Sequence, residues 1–207
     1  MTRDSSFLYR ALFLVLGCII YRLASGLHPE ALPNISPMIA VALVGSMYLP
    51  RAWGWLVAPV AMVISGLAFI TVDQRTEGSM FSWMGLAALA FYALVGLSSL
   101  ALSRHKSLLK IAGASVLCSV IFYLLANTFA WWSDSASTGP YSYAPTLVGW
   151  WQANTVGLAG WQPTWTFLRN GALGDLFFAA VLLAIFDREL LLHPLRFSGR
   201  VNAPHGA

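Results

Sequence analysis

Long apolar runs separated by short polar segments dominate this chain. About 20 apolar residues are enough to carry a helix across the hydrocarbon core of a bilayer, and six runs approach or reach that length. They cover residues 7–26, 36–50, 52–71, 82–103, 108–132 and 167–187. The second run is short, and the pattern leaves open whether it crosses completely. The pattern predicts an all-α integral membrane bundle of about six transmembrane helices.

The composition supports a membrane protein and excludes a soluble domain. Of the 207 residues, 58% are hydrophobic and only 10% are charged, whereas soluble domains carry about 25% charged residues. A soluble fold would have too little polar surface to cover so much apolar material. The net charge of +4 does not indicate nucleic-acid binding, because most of the basic residues lie in the predicted loops between and beside the runs. We therefore expect a lipid bilayer around the protein and no nucleic-acid partner.

The basic residues also predict the orientation, since cytoplasmic loops are enriched in Lys and Arg. With the N-terminus inside, most basic residues become cytoplasmic. These are Arg3, Arg10, Arg51, Arg104, Lys106, Lys110, Arg188, Arg196 and Arg200. The outer loops keep only Arg22, at the end of the first run, and Arg75. We expect a multi-pass protein of the inner cell membrane with both termini cytoplasmic and a cytoplasmic tail at 188–207.

The chain is predicted to form a single transmembrane domain over 1–207, with one long outer loop at 133–165. This loop is rich in Gly, Ser, Thr and Trp, which favours a folded cap with a short interfacial helix around 145–157. Its surroundings hold eight aromatic residues, which form either a membrane-interface belt or the roof of a pocket. They are Trp131, Trp132, Tyr141, Tyr143, Trp150, Trp151, Trp161 and Trp165.

Polar residues inside the last run, "FLRNGALGDLFFAAVLLAIF", are the main functional signal. Arg169, Asn170 and Asp175 lie in its first half. Ionisable groups within a membrane are expensive and usually mark a site in the bundle interior. Two interpretations stay open: a ligand site, and a buried polar clasp that holds this helix to its neighbours.

Two asparagines extend this signal. Asn127, in "LLANTFAWW", is expected near the depth of Arg169, either as a bond between helices or as a ligand contact. Asn34 lies in "LPNISPMIA", between two prolines that predict a rigid turn before the second run. Ser36 is a candidate N-cap for that run, whose positive dipole end would point toward an outer cavity.

No catalytic or nucleotide-binding motif is present in the sequence. It lacks G-x-S-x-G, H-E-x-x-H and P-loop patterns. None of the histidines (His28, His105, His193 and His205) lies in a predicted span. Cys18 and Cys118 have no metal-ligand spacing; "VLGC" at 15–18 loosely resembles a lipoprotein box, an alternative to a plain buried cysteine. We expect no enzyme, no metal and no cofactor.

Four segments resemble, in order and spacing, a bacterial multi-pass family catalogued only as a domain of unknown function. They are "PNISPMIAVALVGSMYL", "LLANTFAWW", "YAPTLVGWW" and "FLRNGALGDLFFAAVLLAIF". The resemblance covers about residues 22–187. Ile35 stands where the family pattern has an aromatic residue, and Ala126 where it has Thr.

The six-span layout with outer polar motifs is similar to the S-components of energy-coupling-factor vitamin transporters. That similarity implies binding of a vitamin-like small molecule from outside, and docking to a transmembrane coupling partner that works with ATPases. Small residues four apart would form the docking surface. The candidate pairs are Ala114 with Cys118, and Ser115 with Ser119.

The sequence therefore predicts a membrane-embedded binding and uptake subunit for a small molecule. The predicted ligand-binding residues are Asn34, Asn127, Trp131, Tyr143, Trp151, Arg169, Asn170 and Asp175. Arg169 would pair with a carboxylate or phosphate of the ligand, and Asp175 would orient Arg169 or accept a hydrogen bond. Trp131 and Trp151 would stack on the ligand. The alternative is a structural or assembly subunit of a larger membrane complex, with the same residues as an internal clasp.

Overall fold

The computed structural model describes residues 3–27, 34–72, 82–104, 106–135 and 142–192, and within these ranges the fold is all-α without a strand. The α-helices are α1 (Arg3–Leu27), α2 (Met38–Ala40), α3 (Val57–Val72), α4 (Trp83–Leu102), α5 (Leu108–Ser135), α6 (Leu147–Ala153), α7 (Trp165–Phe186) and α8 (Arg188–Leu192). A π-helical segment, Val41–Gly45, continues α2, and a 3₁₀ turn, Gly54–Leu56, leads into α3. Tyr141, the four histidines and the predicted tail beyond 192 lie outside the described residues.

Four helices in the described part of the chain are long and apolar enough to cross a membrane. They are Ser6–Leu27, Trp83–Leu102, Leu108–Asp134 and Trp165–Phe186. Their bounds lie within a few residues of four predicted spans, and a shorter apolar helix, Gly54–Ile70, corresponds to a fifth. Helices of this length and composition indicate a membrane protein.

The second apolar run forms a short helix in the middle of the bundle. Helical structure runs without a break over residues 38–47, which we call the central helix. At about 1.5 Å per residue it is about 15 Å long, half of the roughly 30 Å hydrocarbon core. Residues 38–44 are at most 5% exposed, and the helix contacts α1, α3, α4, α5 and α7. This run is therefore apolar because it forms the core, and it is too short to be a complete span.

One end of the bundle is closed by a polar cluster. The Tyr48 hydroxyl donates to Asp187 Oδ2 at 2.8 Å, and Lys106 Nζ lies 3.3 Å from the same oxygen. Lys106 Nζ also lies 3.8 Å from the centroid of the Tyr48 ring, a cation–π contact. We call Tyr48, Lys106 and Asp187 the polar latch. It joins the end of the central helix, the α4–α5 connection and the end of α7.

Electrostatics at the latch follow from these contacts. Burial alone would raise the pKa of the Asp187 carboxyl. The hydrogen bonds from Tyr48 and Lys106, together with the positive charge of Lys106, outweigh burial and hold this pKa below its ordinary value. Asp187 also accepts from the backbone N–H of Leu190 at 3.3 Å, at the start of α8. Every charge of the latch is therefore matched by a protein partner.

The small residues predicted to form a docking surface lie against the interior instead. Ser115 is 0% exposed and Ser119 is 5% exposed. Ala114 and Cys118 are half-buried and pack against the hydrophobic core. The prediction of a docking row at Ser115 and Ser119 is therefore wrong, because these small side chains allow close packing between α5 and its neighbours. Docking through Ala114 and Cys118 stays a prediction.

Candidate functional site

A cavity of about 430 Å³ lies in the half of the bundle opposite the polar latch. It is bordered by the second half of α5, the first half of α7, the end of α1 and the start of the central helix. Its polar lining is formed by Arg22, Asn34, Ser36, Tyr92, Ser119, Tyr123, Asn127 and Asp175. Its apolar lining includes Met38, Ile39, Phe122, Ala126, Ala130, Phe167 and Leu168. Small-molecule sites typically combine such an apolar wall with a few polar groups.

Arg22 is the cationic group of this cavity, and sequence reasoning missed it. Its side chain is half-buried, and its Nε atom is buried with no hydrogen-bond partner among the described residues. Leu14 and Cys18, each 2% exposed, precede it at intervals of four on the same face of α1. That face points into the bundle, so Arg22 continues it. The spacing of four residues from Leu14 to Cys18 to Arg22 was the signal that could have identified Arg22. The sequence alone, however, does not show which face of α1 is buried.

Asp175 is the acidic group of this cavity and belongs to α7. It is 4% exposed, and its Oδ2 accepts a hydrogen bond of 2.6 Å from Ser119 Oγ on α5. This bond links the two helices. In the described part of the chain, no ion pair engages Asp175 or Arg22, although both line the same cavity. Among the described residues, Ser119 is therefore the one hydrogen-bond donor to the carboxyl group of Asp175, and this donor is neutral.

A close contact between two segments positions the cavity wall beside Asp175. Gly174 precedes Asp175, and a Cβ at Gly174 would lie 2.9 Å from Ile35 Cγ2. Glycine there lets the 34–36 turn approach the backbone of α7. Asn34 in this turn has φ = 58°, a left-handed conformation that Asn tolerates better than most residues. The turn thereby borders the cavity at Asn34 and Ser36.

Asn127 lies on the α5 wall of the cavity. Its Nδ2 donates to the backbone carbonyl of Tyr123 at 2.9 Å, one helical turn earlier. The Tyr123 hydroxyl in turn donates to the carbonyl of Asn154 at 2.8 Å, just after α6. The Tyr123 bond connects the cavity wall to the segment that carries α6. This helix lies inside the interval predicted for a short interfacial helix.

Arg169 and Asn170 lie beside the cavity and are not part of its lining. Arg169 is exposed, and its Nε and Nη2 atoms each lie 3.2 Å from Asn170 Oδ1. Its guanidinium also lies 5.5 Å from the Trp165 ring centroid. The expected contact between Asp175 and Arg169 is absent from the described structure, where Asp175 bonds to Ser119. Six positions separate the two residues, so they point in different directions from α7.

The three predicted aromatic contacts are also outside the cavity lining. Trp131 Nε1 donates to the carbonyl of Ala144 at 2.9 Å. Tyr143 is buried, and Trp151 is 64% exposed on α6. Of the eight predicted site residues, the structure brings Asn34, Asn127 and Asp175 together around the cavity. The ligand contacts predicted for all eight residues stay predictions.

The model of a family of unknown function, DUF6580, matches residues 3–192 of the chain. The chain belongs to DUF6580. No curated protein and no solved structure matches it. The match confirms that the chain belongs to an uncharacterised family, and it includes every helix and every cavity residue described above. Membership in DUF6580 implies no activity, so the cavity is the feature of this chain that bears on its function.

Proposed function

We propose that this DUF6580 protein binds a small molecule in the cavity and is the membrane-embedded binding subunit of an uptake system. The observation that carries the proposal is that Arg22 and Asp175 line one cavity of about 430 Å³ without forming an ion pair with each other. Charged groups inside a bundle are costly, and those retained usually mark a ligand or ion pathway. A ligand with complementary groups would offset that cost.

The distribution of basic residues supports an outward-facing site. Arg51, Arg104, Lys106, Lys110 and Arg188 lie near the ends of helices at the latch side of the bundle. The positive-inside rule then makes the latch side cytoplasmic and the cavity side external. This arrangement is similar to the S-components of energy-coupling-factor transporters. Because the sequence contains no P-loop, uptake would need a transmembrane coupling partner and ATPases.

The proposal moves the anion-binding role from Arg169 to Arg22. Arg22 lines the cavity, whereas Arg169 is exposed and contacts Asn170 and Trp165. Asp175 and the amides of Asn34 and Asn127 complete the polar lining. An arginine with free N–H groups suits a carboxylate or phosphate.

Native mass spectrometry of the purified protein tests the binding role. Ala126 lines the cavity on α5, so Ala126→Trp fills part of it, whereas Ile121→Trp places the same side chain on an exposed face of that helix. We expect a co-purified small mass on the wild type and on Ile121→Trp, and its loss from Ala126→Trp. A mass retained equally by both Trp variants would indicate surface lipid or detergent and would contradict the proposal.

A structural subunit is the second candidate, and the Ser119–Asp175 bond favours it. This 2.6 Å bond between α5 and α7 already uses one carboxylate oxygen of Asp175. If Asp175 serves only to join α5 to α7, we expect the purified protein to carry no small molecule and to co-purify with a stoichiometric protein partner. The same mass spectra therefore distinguish the two candidates.

A further inference from the structure

We propose that the ligand is a small zwitterion with an apolar body, whose anionic group pairs with Arg22 and whose ammonium group binds Asp175. This inference rests on the proposed binding function and names its ligand class. The cavity holds one basic group, Arg22, and one acidic group, Asp175, and no ion pair in the described structure joins the two.

Arg22 needs an anion. Its guanidinium has five N–H donors and no acceptor, and its buried Nε has no partner among the residues that the structure describes. A carboxylate or phosphate oxygen satisfies such donors in a short, charge-assisted geometry. A neutral ligand would exclude water from the guanidinium and leave its charge unpaired, which is costly in a low-dielectric site.

Asp175 needs a donor, and a positive one matches its charge. Ser119 Oγ donates to Oδ2, and no further hydrogen bond to the carboxylate is present within the described ranges. An ionised carboxylate accepts at both oxygens. A purely anionic ligand would disfavour the ionised form of Asp175 and leave that group without a matching partner, and a purely cationic ligand would meet Arg22 as an unfavourable like charge.

The rest of the lining suits a hydrocarbon body between the two charged ends. Met38, Ile39, Phe122, Phe167 and Leu168 form apolar walls. The volume, about 430 Å³, is near the lower end of the roughly 300–1,000 Å³ range of small-molecule pockets. These features indicate an amino-acid-like molecule with an apolar side chain.

A matched series of compounds tests the ligand class on the full-length protein in detergent. Phenylalanine is the zwitterion; phenylpropionic acid, phenethylamine and phenylpropionamide present the same body as anion, cation and neutral amide. A second series, in which leucine is the zwitterion, makes the same comparison with an aliphatic body. Binding is measured by calorimetry at millimolar ligand, and the co-purified mass is identified by fragmentation. We expect the zwitterion of at least one series to bind about tenfold or more tightly than its singly charged and neutral analogues.

Two variants and one control test which side chain binds each end of the ligand. Arg22→Met should reduce the affinity for the zwitterion to that for the amine, and Asp175→Asn should reduce it to that for the acid. Asp175→Asn retains an acceptor for Ser119, which keeps the α5–α7 bond. Arg169→Met is the control, because Arg169 is exposed and does not line the cavity; its affinities should equal those of the wild type.

The outcomes separate failure of the ligand class from failure of the binding role. If a neutral or singly charged compound binds as tightly as the zwitterion and Ala126→Trp abolishes its binding, the cavity is a binding site and the zwitterion proposal is overturned. A co-purified mass identified as non-zwitterionic has the same meaning. If no compound binds and no mass co-purifies, both proposals are overturned.

Discussion

Charged side chains are paired at one end of this bundle and unpaired with each other at the other end. At the polar latch, Asp187 is met by Tyr48 and Lys106, and the carboxylate and the ammonium are only 3.3 Å apart. At the cavity, Arg22 and Asp175 line the same space without an ion pair. A charge that is withdrawn from water is costly unless it is paired and hydrogen-bonded. We therefore infer that the latch stabilises the fold. The cavity, in contrast, leaves its charged groups available to another molecule.

Asp187→Ala is expected to have the largest effect on stability, because it removes the residue that both other members of the latch contact. The variant loses the hydrogen bond from Tyr48, the ion pair with Lys106 and the contact with the Leu190 N–H. We expect the free energy of unfolding to fall by about 2–3 kcal/mol, because charge-assisted bonds are lost and their partners remain. Thermal or denaturant unfolding in detergent measures it. Glu189→Ala removes a neighbouring exposed carboxylate and should change stability by less than about 0.5 kcal/mol; equal losses in the two variants would contradict the role of the latch.

At the cavity end, Ser119→Ala removes the hydrogen bond that joins α5 to Asp175 on α7. Asp175 then stays buried without the donor that now lies 2.6 Å away. We expect a loss of about 1–2 kcal/mol in the free energy of unfolding. Ser115→Ala is a matched control one turn earlier on α5, since the Ser115 Oγ is buried and has no partner in the described part of the chain. That control should be neutral or slightly stabilising, and a loss as large as that of Ser119→Ala would refute the assignment.

Tyr48→Phe isolates the hydroxyl of the latch. The ring keeps its stacked contact with Phe186, at 5.5 Å between centroids, and its place beneath Lys106. Only the 2.8 Å bond to Asp187 is lost, so the expected cost is about 1 kcal/mol. The readout is again the unfolding midpoint, with Tyr9→Phe, at a residue 60% exposed, as the control. No difference between the two variants would show that the hydroxyl contributes nothing.

Acid should weaken the latch gradually. The folded-state pKa of Asp187 lies below its ordinary value, which is about 3.9 in an unfolded chain. A lowered pKa contributes stability that is fully present above the unfolded value and is lost as pH falls through the folded value. The stability gap between wild type and Asp187→Ala should therefore be constant from neutral pH to about pH 5 and shrink below about pH 4. A gap that keeps its full size in acid would contradict the pKa assignment.

Most of the helical architecture was predictable because it follows from hydropathy. The last run was predicted at 167–187, and α7 is Trp165–Phe186. The agreement is close because the length of an apolar run and its polar flanks indicate where a helix can cross a bilayer. The central helix was harder. Its apolar residues are equally consistent with a lipid-facing span and with a helix buried on all sides, and only the packing distinguishes these.

The candidate site was predictable only in part, and the reason is geometric. Asp175, Asn127 and Asn34 were identified because polar residues in apolar surroundings are conspicuous. Arg22 was read as the end of a span, because a long side chain near a helix end normally extends toward water. Arg169 was favoured as the ligand contact because it lies in the same run as Asp175. Which face of α1 or α7 points inward depends on contacts with distant helices.

The central claim is that the cavity keeps its charges for a ligand and not for the fold, and the unfolding midpoint of ligand-free Arg22→Met tests it most directly. The cavity arginine has no ion pair in the described structure, so its replacement by an apolar side chain of similar length should leave the midpoint unchanged or raise it. Arg169→Met gives the reference for an exposed arginine. The account predicts a midpoint for Arg22→Met equal to or above that of the wild type. A fall as large as that of Asp187→Ala would show that Arg22 is a structural residue and would contradict the account.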